Sequence, residues 1–215
     1  MPEANSSLPR LILASASPRR KQILETAGYE IEVFAPADHI EEQAHADSPE
    51  ELAVEKAWLK AHEVAQSVEK QIQSGARSAG PWLVIGSDTL CALDAQILEK
   101  PLDRNDAERI LLTLSGTRHR VVSGLSLCPM GTGWPQGIQS APLRVFDTTW
   151  VTMRRLSLEE VRAYVASGEA DGKAGAYAIQ ERGDRFVEHL EGSFDNVVGF
   201  PLELFQREIH RYRLA

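Results

Sequence analysis

An apolar run from Trp82 to Leu93 carries a carboxylate near its middle, within the sequence Gly86-Ser87-Asp88-Thr89. Such a run is typical of a buried strand, where a carboxylate costs several kcal/mol unless it is paired, hydrogen-bonded or bound to a metal. Asp88 therefore needs a partner. Gly86 allows close backbone approach, and Asp88 could hold a divalent cation or take a proton from water. The alternative is a structural aspartate in a bulge or turn.

The order of helix and strand signals predicts a mixed α/β fold with hairpins and crossovers. Strands are predicted over 11–14, 29–34, 82–93, 96–98, 121–127 and 143–153, and near 175–180, 185–190 and 195–200. Helices are predicted to start at Pro18, Pro49, Pro101, Ser157 and Pro201. The helix from Pro49 to about Lys70 has an apolar stripe that consists of Val54, Trp58, Ala61, Ala65 and Val68.

The chain shows no internal repeat and no sharp change in composition. Residues 1–9 are therefore predicted to be a flexible polar tail and residues 10–215 a single domain. With 43% hydrophobic and 25% charged residues, a globular protein is expected and a mainly disordered chain is excluded.

A formal net charge of −8 argues against general binding to nucleic acid or to anionic membranes. No stretch approaches the roughly 18 apolar residues of a membrane span, and the N-terminus does not resemble a secretory signal. Cys91 and Cys128 both lie in apolar, strand-like runs. Two buried free thiols are therefore expected, which favours a cytoplasmic protein.

A strand followed by Ser15-Ala16-Ser17-Pro18-Arg19-Arg20 and a helix is suited to bind phosphate. The start of a helix offers unpaired N–H groups, small hydroxyl residues permit close approach, and arginines match phosphate oxygens. The alternative is a capped surface helix with two solvated arginines.

Four other segments carry weaker signals. Lys100 stands where a strand leads into a helix, and Lys56 and Lys60 lie on the second helix; solvated lysines are the default interpretation of all three. Glu41-Glu42 is most simply a solvated turn. The segment from Asp171 to Gln180 combines small residues with an amide that could bind a base edge, or it is a tight turn and strand.

Taken together, these motifs closely resemble the Maf family over about residues 10 to 208. The resemblance rests on Leu13-Ala14-Ser15-Ala16-Ser17-Pro18-Arg19-Arg20, Glu42, Lys56-Ala57, Gly86-Ser87-Asp88-Thr89, Glu99-Lys100-Pro101, Leu114-Ser115-Gly116 and Lys173-Ala174-Gly175-Ala176-Tyr177. It implies an elongated mixed α/β fold with a central sheet flanked by helices and a cleft between two lobes, similar to inosine triphosphate pyrophosphatases. Homodimers are also implied.

The resemblance implies a nucleoside triphosphate pyrophosphatase that uses Mg²⁺ or Mn²⁺ and releases a monophosphate and pyrophosphate. Site roles follow residue by residue. Phosphate binding is implied for Ser15, Arg19 and Arg20, catalysis for Asp88, Lys56 and Lys100, metal binding for Asp88 and Glu42, and base choice for Thr89 and Gln180. Asp88 stands at the position of the proton acceptor.

Gln180 matches the subgroup that acts on dTTP and UTP, which indicates nucleotide-pool housekeeping with a role in cell-division arrest. Two alternatives remain at this point. One is a 7-methyl-GTP pyrophosphatase of the same family, in which an acidic residue stands where Gln180 does. The other is a nucleotide-binding regulator of septum formation with little turnover.

Overall fold

The computed structural model describes residues 8–37, 39–138 and 141–214. The predicted tail of residues 1–9 lies outside the described residues except for Leu8 and Pro9. The described strands are β1 (Arg10–Leu13), β2 (Ile31–Val33), β3 (Trp82–Leu93), β4 (Gln96–Leu98), β5 (Arg118–Met130), β6 (Leu143–Met153) and β7 (Val187–Glu191). The described α-helices are α1 (Pro18–Thr26), α2 (Pro49–Gln73), α3 (Arg104–Leu114), α4 (Leu158–Ala166), α5 (Phe194–Val198) and α6 (Leu202–Ile209).

These strands form one seven-stranded mixed sheet, which confirms the predicted fold class. The order is β2-β1-β3-β5-β6-β7, and β4 pairs with β3. β1 runs parallel to β2 and β3, while the pairs β3–β4, β3–β5, β5–β6 and β6–β7 are antiparallel. No helix in the described part of the chain is long and apolar enough to cross a membrane.

One edge of β3 is only partly covered. β5 pairs with β3 along residues 82–92 and occupies its other edge. On the first edge, β1 pairs with residues 82–85 and β4 with residues 91–93. Among the described strands, none covers residues 86–90 on that edge. The Gly86-Ser87-Asp88-Thr89 motif therefore lies at a gap in the sheet.

Two apolar clusters lie at the two ends of β3. Leu83 and Ile85 belong to a cluster with α6, whereas Cys91 belongs to a cluster with α3 and α4. Both cysteines are buried and free, as expected. These two clusters contact opposite ends of β3. A cleft can therefore form between them, beside the middle of the strand, as a two-lobed fold implies.

Two of the three strand predictions near the C-terminus, those for residues 175–180 and 195–200, were wrong. Residues 174–176 form a 3-10 turn in which Gly175 and Ala176 have φ angles of 72° and 58°, a left-handed conformation that a strand does not adopt. Near 195–200 the chain forms α5, whose N-cap Ser193 accepts a hydrogen bond from the Asn196 N–H. This cap stabilises a helical turn in a segment whose apolar residues had favoured a strand.

Helix α2 approaches the sheet very closely at two glycines. A Cβ atom at Gly86 would lie 2.1 Å from the Ala57 carbonyl oxygen, and one at Gly124 would lie 2.0 Å from the Ala53 carbonyl oxygen. Only glycine on the strands permits this separation. The helix therefore faces the sheet with its alanines rather than with the larger residues Val54 and Trp58, which are only partly buried.

Gly124→Ala is expected to lower the free energy of unfolding by about 1–3 kcal/mol, because the new methyl group would overlap the α2 backbone. Urea denaturation measures the change. Gly80→Ala is the matched control: nothing lies within 4 Å of a Cβ there, so a change within about 0.5 kcal/mol is expected. Equal effects of the two variants would contradict the close packing.

A buried histidine lies within the cluster that includes α3 and α4. The His119 side chain is fully buried, and its Nε2 atom lies 2.9 Å from the Tyr177 hydroxyl. Its Nδ1 atom has no hydrogen-bond partner in the described part of the chain. Burial lowers the pKa of His119 from 6.5 to about 4 because the charged ring would be desolvated. The ring is therefore neutral at pH 7.

Between pH 6.5 and about 4 the unfolded chain binds the proton that the folded protein excludes. The free energy of unfolding should therefore fall as the pH is lowered, with about 3 kcal/mol attributable to His119. In His119→Gln, which keeps a polar partner for Tyr177 without titrating, this part of the pH dependence should disappear. The exposed His189→Gln is the control and should keep the full slope. Parallel pH curves for His119→Gln and the unchanged protein would refute the prediction.

Candidate active site

The gap beside β3 opens into a cavity of about 570 Å³, here called the main cavity. It is lined by Ser15, Ala16, Ser17, Pro18, Arg19, Arg20, Pro36, Ala37, His39, Glu41, Lys60, Asp88, Thr89, Lys100, Gly172, Lys173, Gln180 and Glu181. Asp88 and Thr89 point to opposite faces of β3 because side chains alternate along a strand. Both reach the cavity because the edge of β3 is open between them.

A smaller cavity of about 90 Å³, the side pocket, adjoins the main cavity. The two share Ser17, Arg19, Arg20, Thr89, Lys100, Gly172 and Lys173. Cys91, Val121, Tyr177, Val197 and Val198 give the side pocket an apolar wall. The site thus combines a large polar space with a small, partly apolar recess.

The partner that Asp88 requires is Lys60. The Lys60 Nζ atom lies 2.6 Å from Asp88 Oδ1, and the two side chains are only 9% and 12% exposed. The same ammonium lies 3.5 Å from Glu41 Oε1. Lys60 reaches Asp88 because Gly86, on the same face of β3, lets α2 approach. Removing one partner of such a buried charge pair leaves the other charge uncompensated and strongly destabilises the folded protein.

Arg20 is held in place by two acceptors. Its Nε atom donates to the Gly199 carbonyl at 3.0 Å, and Nη1 donates to Ser15 Oγ at 3.2 Å. Burial lowers the pKa of Arg20, and the negative charge of Asp88 opposes that change. An arginine remains charged under these conditions, and its remaining N–H groups are available to an anion in the cavity.

The start of α1 is also suited to an anion. Ser17 is the N-cap residue and Pro18 follows it, as predicted, but the Ser17 side chain makes no capping hydrogen bond in the described structure. The Ser17 N–H instead donates to Ser15 Oγ at 3.2 Å. The first-turn N–H groups of Arg19 and Arg20 can therefore bind a ligand.

The structure brings most of the predicted site residues together. Those that line the main cavity are Ser15, Arg19, Arg20, Asp88, Thr89, Lys100 and Gln180. Lys56 and Glu42, also predicted, are not among the described residues that line either cavity. The Lys56 ammonium lies 3.7 Å from Glu99, and Glu42 Oε1 lies 2.7 Å from His39 Nδ1.

Sequence reasoning had assigned Lys60 to a solvated surface, although the structure buries it. The run of small residues at Ala53, Ala57, Ala61 and Ala65 could have indicated the face of α2 that lies against the sheet. Lys56 and Lys60 follow Ala53 and Ala57 with the same spacing, so this signal does not distinguish the two lysines. Glu41 was distinguished from Glu42 only by the tertiary structure.

Two carboxylates of the site fit a divalent cation whose coordination is completed by oxygen atoms of the ligand. No group of three or more His, Cys, Asp or Glu side chains suited to a metal occurs among the described residues. Glu41 and Asp88 nevertheless both face the main cavity and lie close enough to share Lys60. Mg²⁺ is commonly bound through one or two carboxylates together with phosphate oxygens and water. Two carboxylates in a cavity that is also lined by Arg19, Arg20 and Lys100 match that pattern.

Comparisons with known proteins agree with these motifs. A protein from Vibrio cholerae named dTTP/UTP pyrophosphatase is 41% identical over 207 residues, which covers 96% of this chain and 100% of that protein. One of the same name from Syntrophotalea carbinolica is 43% identical over 192 residues, 89% of this chain and 80% of that protein. A human protein named probable bifunctional dTTP/UTP pyrophosphatase/methyltransferase is 40% identical and covers 93% of this chain, which spans 31% of the human protein.

Among solved structures, a HAM1 protein from Coxiella burnetii is 17% identical with a TM-score of 0.41, covering 82% of this chain and 90% of that one. The Ham1 protein of Staphylococcus aureus is 15% identical with a TM-score of 0.38, covering 67% and 71%. Residues 10–212 match the family described as Maf-like protein, a span that includes all the described strands and helices. The chain belongs to the Maf family.

Proposed function

We propose that this chain is a pyrophosphatase that hydrolyses dTTP and UTP between the α- and β-phosphates, giving a monophosphate and pyrophosphate. The observation that carries the proposal is the presence of several cationic side chains and a buried carboxylate in one cavity. Arg19, Arg20 and Lys100 line the main cavity together with the pair Asp88–Lys60. The relatives named dTTP/UTP pyrophosphatase support the choice of substrate.

Each side chain has a distinct task in this reaction. Arg20, fixed by Ser15 and Gly199, binds phosphate oxygens together with Arg19 and the start of α1. Lys60 and Lys100 offset negative charge as it develops on the bridging and leaving oxygens. Asp88 orients the attacking water and accepts its proton. Pyrophosphate is a good leaving group, so the reaction requires no covalent nucleophile.

The tasks expected of Lys56 and Glu42 are assigned here to Lys60 and Glu41, because these two side chains reach the main cavity. Glu41 and Asp88 would hold Mg²⁺ or Mn²⁺. Such a cation supplies positive charge to the phosphate oxygens and favours a deprotonated water beside them. Lys60 also keeps the two carboxylates near each other before the metal–nucleotide complex enters.

Two features of the whole protein are part of the proposal. A cytoplasmic location is supported by the two buried free thiols, which suit a reducing compartment. A homodimer is proposed only because the resemblance to the Maf family implies one.

The reaction is tested by incubating the protein with UTP or dTTP and Mg²⁺ or Mn²⁺ and identifying the products. Pyrophosphate and the monophosphate are expected, and Lys60→Met, once circular dichroism shows that it is folded at the assay temperature, should have a kcat/KM about 100-fold lower because charge stabilisation is lost. Lys56→Met is the matched control, a lysine one helical turn earlier, and should change kcat/KM by less than about threefold.

Orthophosphate and a diphosphate as the primary products would contradict the proposed reaction. Binding of nucleotides without turnover would favour the alternative of a nucleotide-binding regulator. A larger loss in Lys56→Met than in Lys60→Met would return the catalytic task to Lys56.

Gln180 is proposed to read the base. Its amide offers both a donor and an acceptor, which can meet the N3–H group and a neighbouring carbonyl of uracil or thymine. A carboxylate can only accept, which suits the adjacent donors of guanine. Because Gln180 is exposed at the cavity wall, the cost of a mismatch should be at the low end of the usual range.

Gln180→Glu should therefore lower kcat/KM for UTP and dTTP by about tenfold relative to 7-methyl-GTP. The measurement is kcat/KM for UTP, dTTP, GTP and 7-methyl-GTP with both proteins. A preference of the unchanged protein for 7-methyl-GTP, or the same ranking in Gln180→Glu, would remove Gln180 from base recognition.

A further inference from the structure

A buried serine lies directly behind a residue of the site. Ser123 on β5 is the register partner of Thr89 on β3, and the two hydroxyl oxygens are 2.8 Å apart. Ser123 is fully buried and lines neither the main cavity nor the side pocket, whereas Thr89 lines both. Ser123 can therefore influence a ligand only through Thr89.

The hydrogen atoms of this hydroxyl pair can be assigned. Thr89 Oγ1 lies 3.1 Å from the Gly199 carbonyl oxygen, and Ser123 Oγ lies 3.4 Å from the Asn196 carbonyl oxygen. Carbonyl oxygens only accept, and each hydroxyl has one hydrogen. Either Ser123 donates to Thr89 and Thr89 to Gly199, or Thr89 donates to Ser123 and Ser123 to Asn196. The first arrangement has the shorter bonds. In both, the Thr89 hydrogen is used within the protein.

The carbonyl that receives this hydrogen is itself fixed. The Arg20 Nε atom donates to the same Gly199 oxygen at 3.0 Å, so both lone pairs of that oxygen are used. The preceding helix α5 is attached to the sheet because Asn196 Nδ2 donates to the Val121 carbonyl at 3.0 Å and to Thr149 Oγ1 at 3.1 Å. Thr89 therefore has a well-defined acceptor before any ligand binds.

We propose that Ser123 is a positioning residue: it donates to one lone pair of the Thr89 hydroxyl while the Thr89 hydrogen is directed to Gly199, so that Thr89 offers the nucleotide only its other lone pair. The group of the nucleotide that binds there must then be a hydrogen-bond donor. This inference rests on the proposed function. Since the names of the relatives include a ribonucleotide and a deoxyribonucleotide, the 2′-hydroxyl is dispensable. N3–H is already assigned to Gln180, so the remaining donor of the nucleotide is the 3′-hydroxyl of the sugar.

Binding of non-hydrolysable nucleotides tests this independently of turnover. Calorimetry would measure the Kd of the α,β-methylene analogues of UTP and 3′-deoxy-UTP. The 3′-deoxy analogue lacks the sugar donor, so it should bind about 10- to 100-fold more weakly than the UTP analogue, because Thr89 then faces no group that can donate. Equal binding of the two would overturn the proposal.

Ser123→Ala tests the positioning role. Without the Ser123 donor on its oxygen, the Thr89 hydroxyl is held by Gly199 alone and can turn to donate to the ligand, so the preference for the donor-bearing nucleotide should shrink by about fivefold or more. With UTP as substrate, KM should change more than kcat. Ser126→Ala is the matched control: Ser126 is a buried serine on the same strand whose hydroxyl lies 3.6 Å from Cys128 Sγ, and the preference should be unchanged. An unchanged preference in Ser123→Ala would also overturn the proposal.

Two Thr89 variants keep the test valid if Ser123→Ala fails to fold. Thr89→Ser retains the hydroxyl and should keep the preference, while Thr89→Val retains the shape and should abolish it. A preference that survives in Thr89→Val would refute the inference. The absence of pyrophosphate release from UTP by the unchanged protein would instead refute the proposed function, whatever the binding data show.

Discussion

The incomplete pairing of β3 is the constraint on which the site depends. One edge of this strand is fully paired with β5, while the other is shared by β1 and β4, with residues 86–90 left between them. Polar side chains in the interior of a complete sheet would be buried without access to a ligand. At this gap, Asp88 on one face and Thr89 on the other both reach the same cavity. Two of the apolar clusters of the core also lie on either side of this gap, one with Leu83 and Ile85 and the other with Cys91.

The close approach of α2 supplies the charge that Asp88 requires. Gly86 and Gly124 remove the side chains that would hold the helix away from the sheet. The alanines of α2 then face the strands, and Lys60 lies between Asp88 and Glu41. A single ammonium thus lies between two carboxylates in a cavity that is also lined by Arg19, Arg20, Lys100, Lys173 and Glu181. In this way a chain with a net charge of −8 presents a locally cationic group of side chains.

The C-terminal part of the chain connects the Arg20 and Thr89 sides of the main cavity. The Gly199 carbonyl accepts hydrogen bonds from both Arg20 and Thr89, although these residues come from α1 and β3. The short helix α5 holds that carbonyl in place through Asn196. Gly199 has a φ angle of 131°, which favours glycine, so the turn after α5 is specific to this residue type.

Local patterns were sufficient to predict the mixed fold, strands 82–93, 96–98 and 143–153, and the site residues that belong to continuous motifs, such as Arg19, Arg20 and Asp88. Lys60 was assigned to the solvent because hydrophobic periodicity gives weight to Val54 and Trp58 rather than to Ala53 and Ala57. The sequence by itself therefore determined which elements form and where the charged motifs lie along them. Only the tertiary structure decided which lysine meets Asp88 and which glutamate meets that lysine, because the lysine that reaches Asp88 depends on the separation between α2 and β3, which two glycines on neighbouring strands set together.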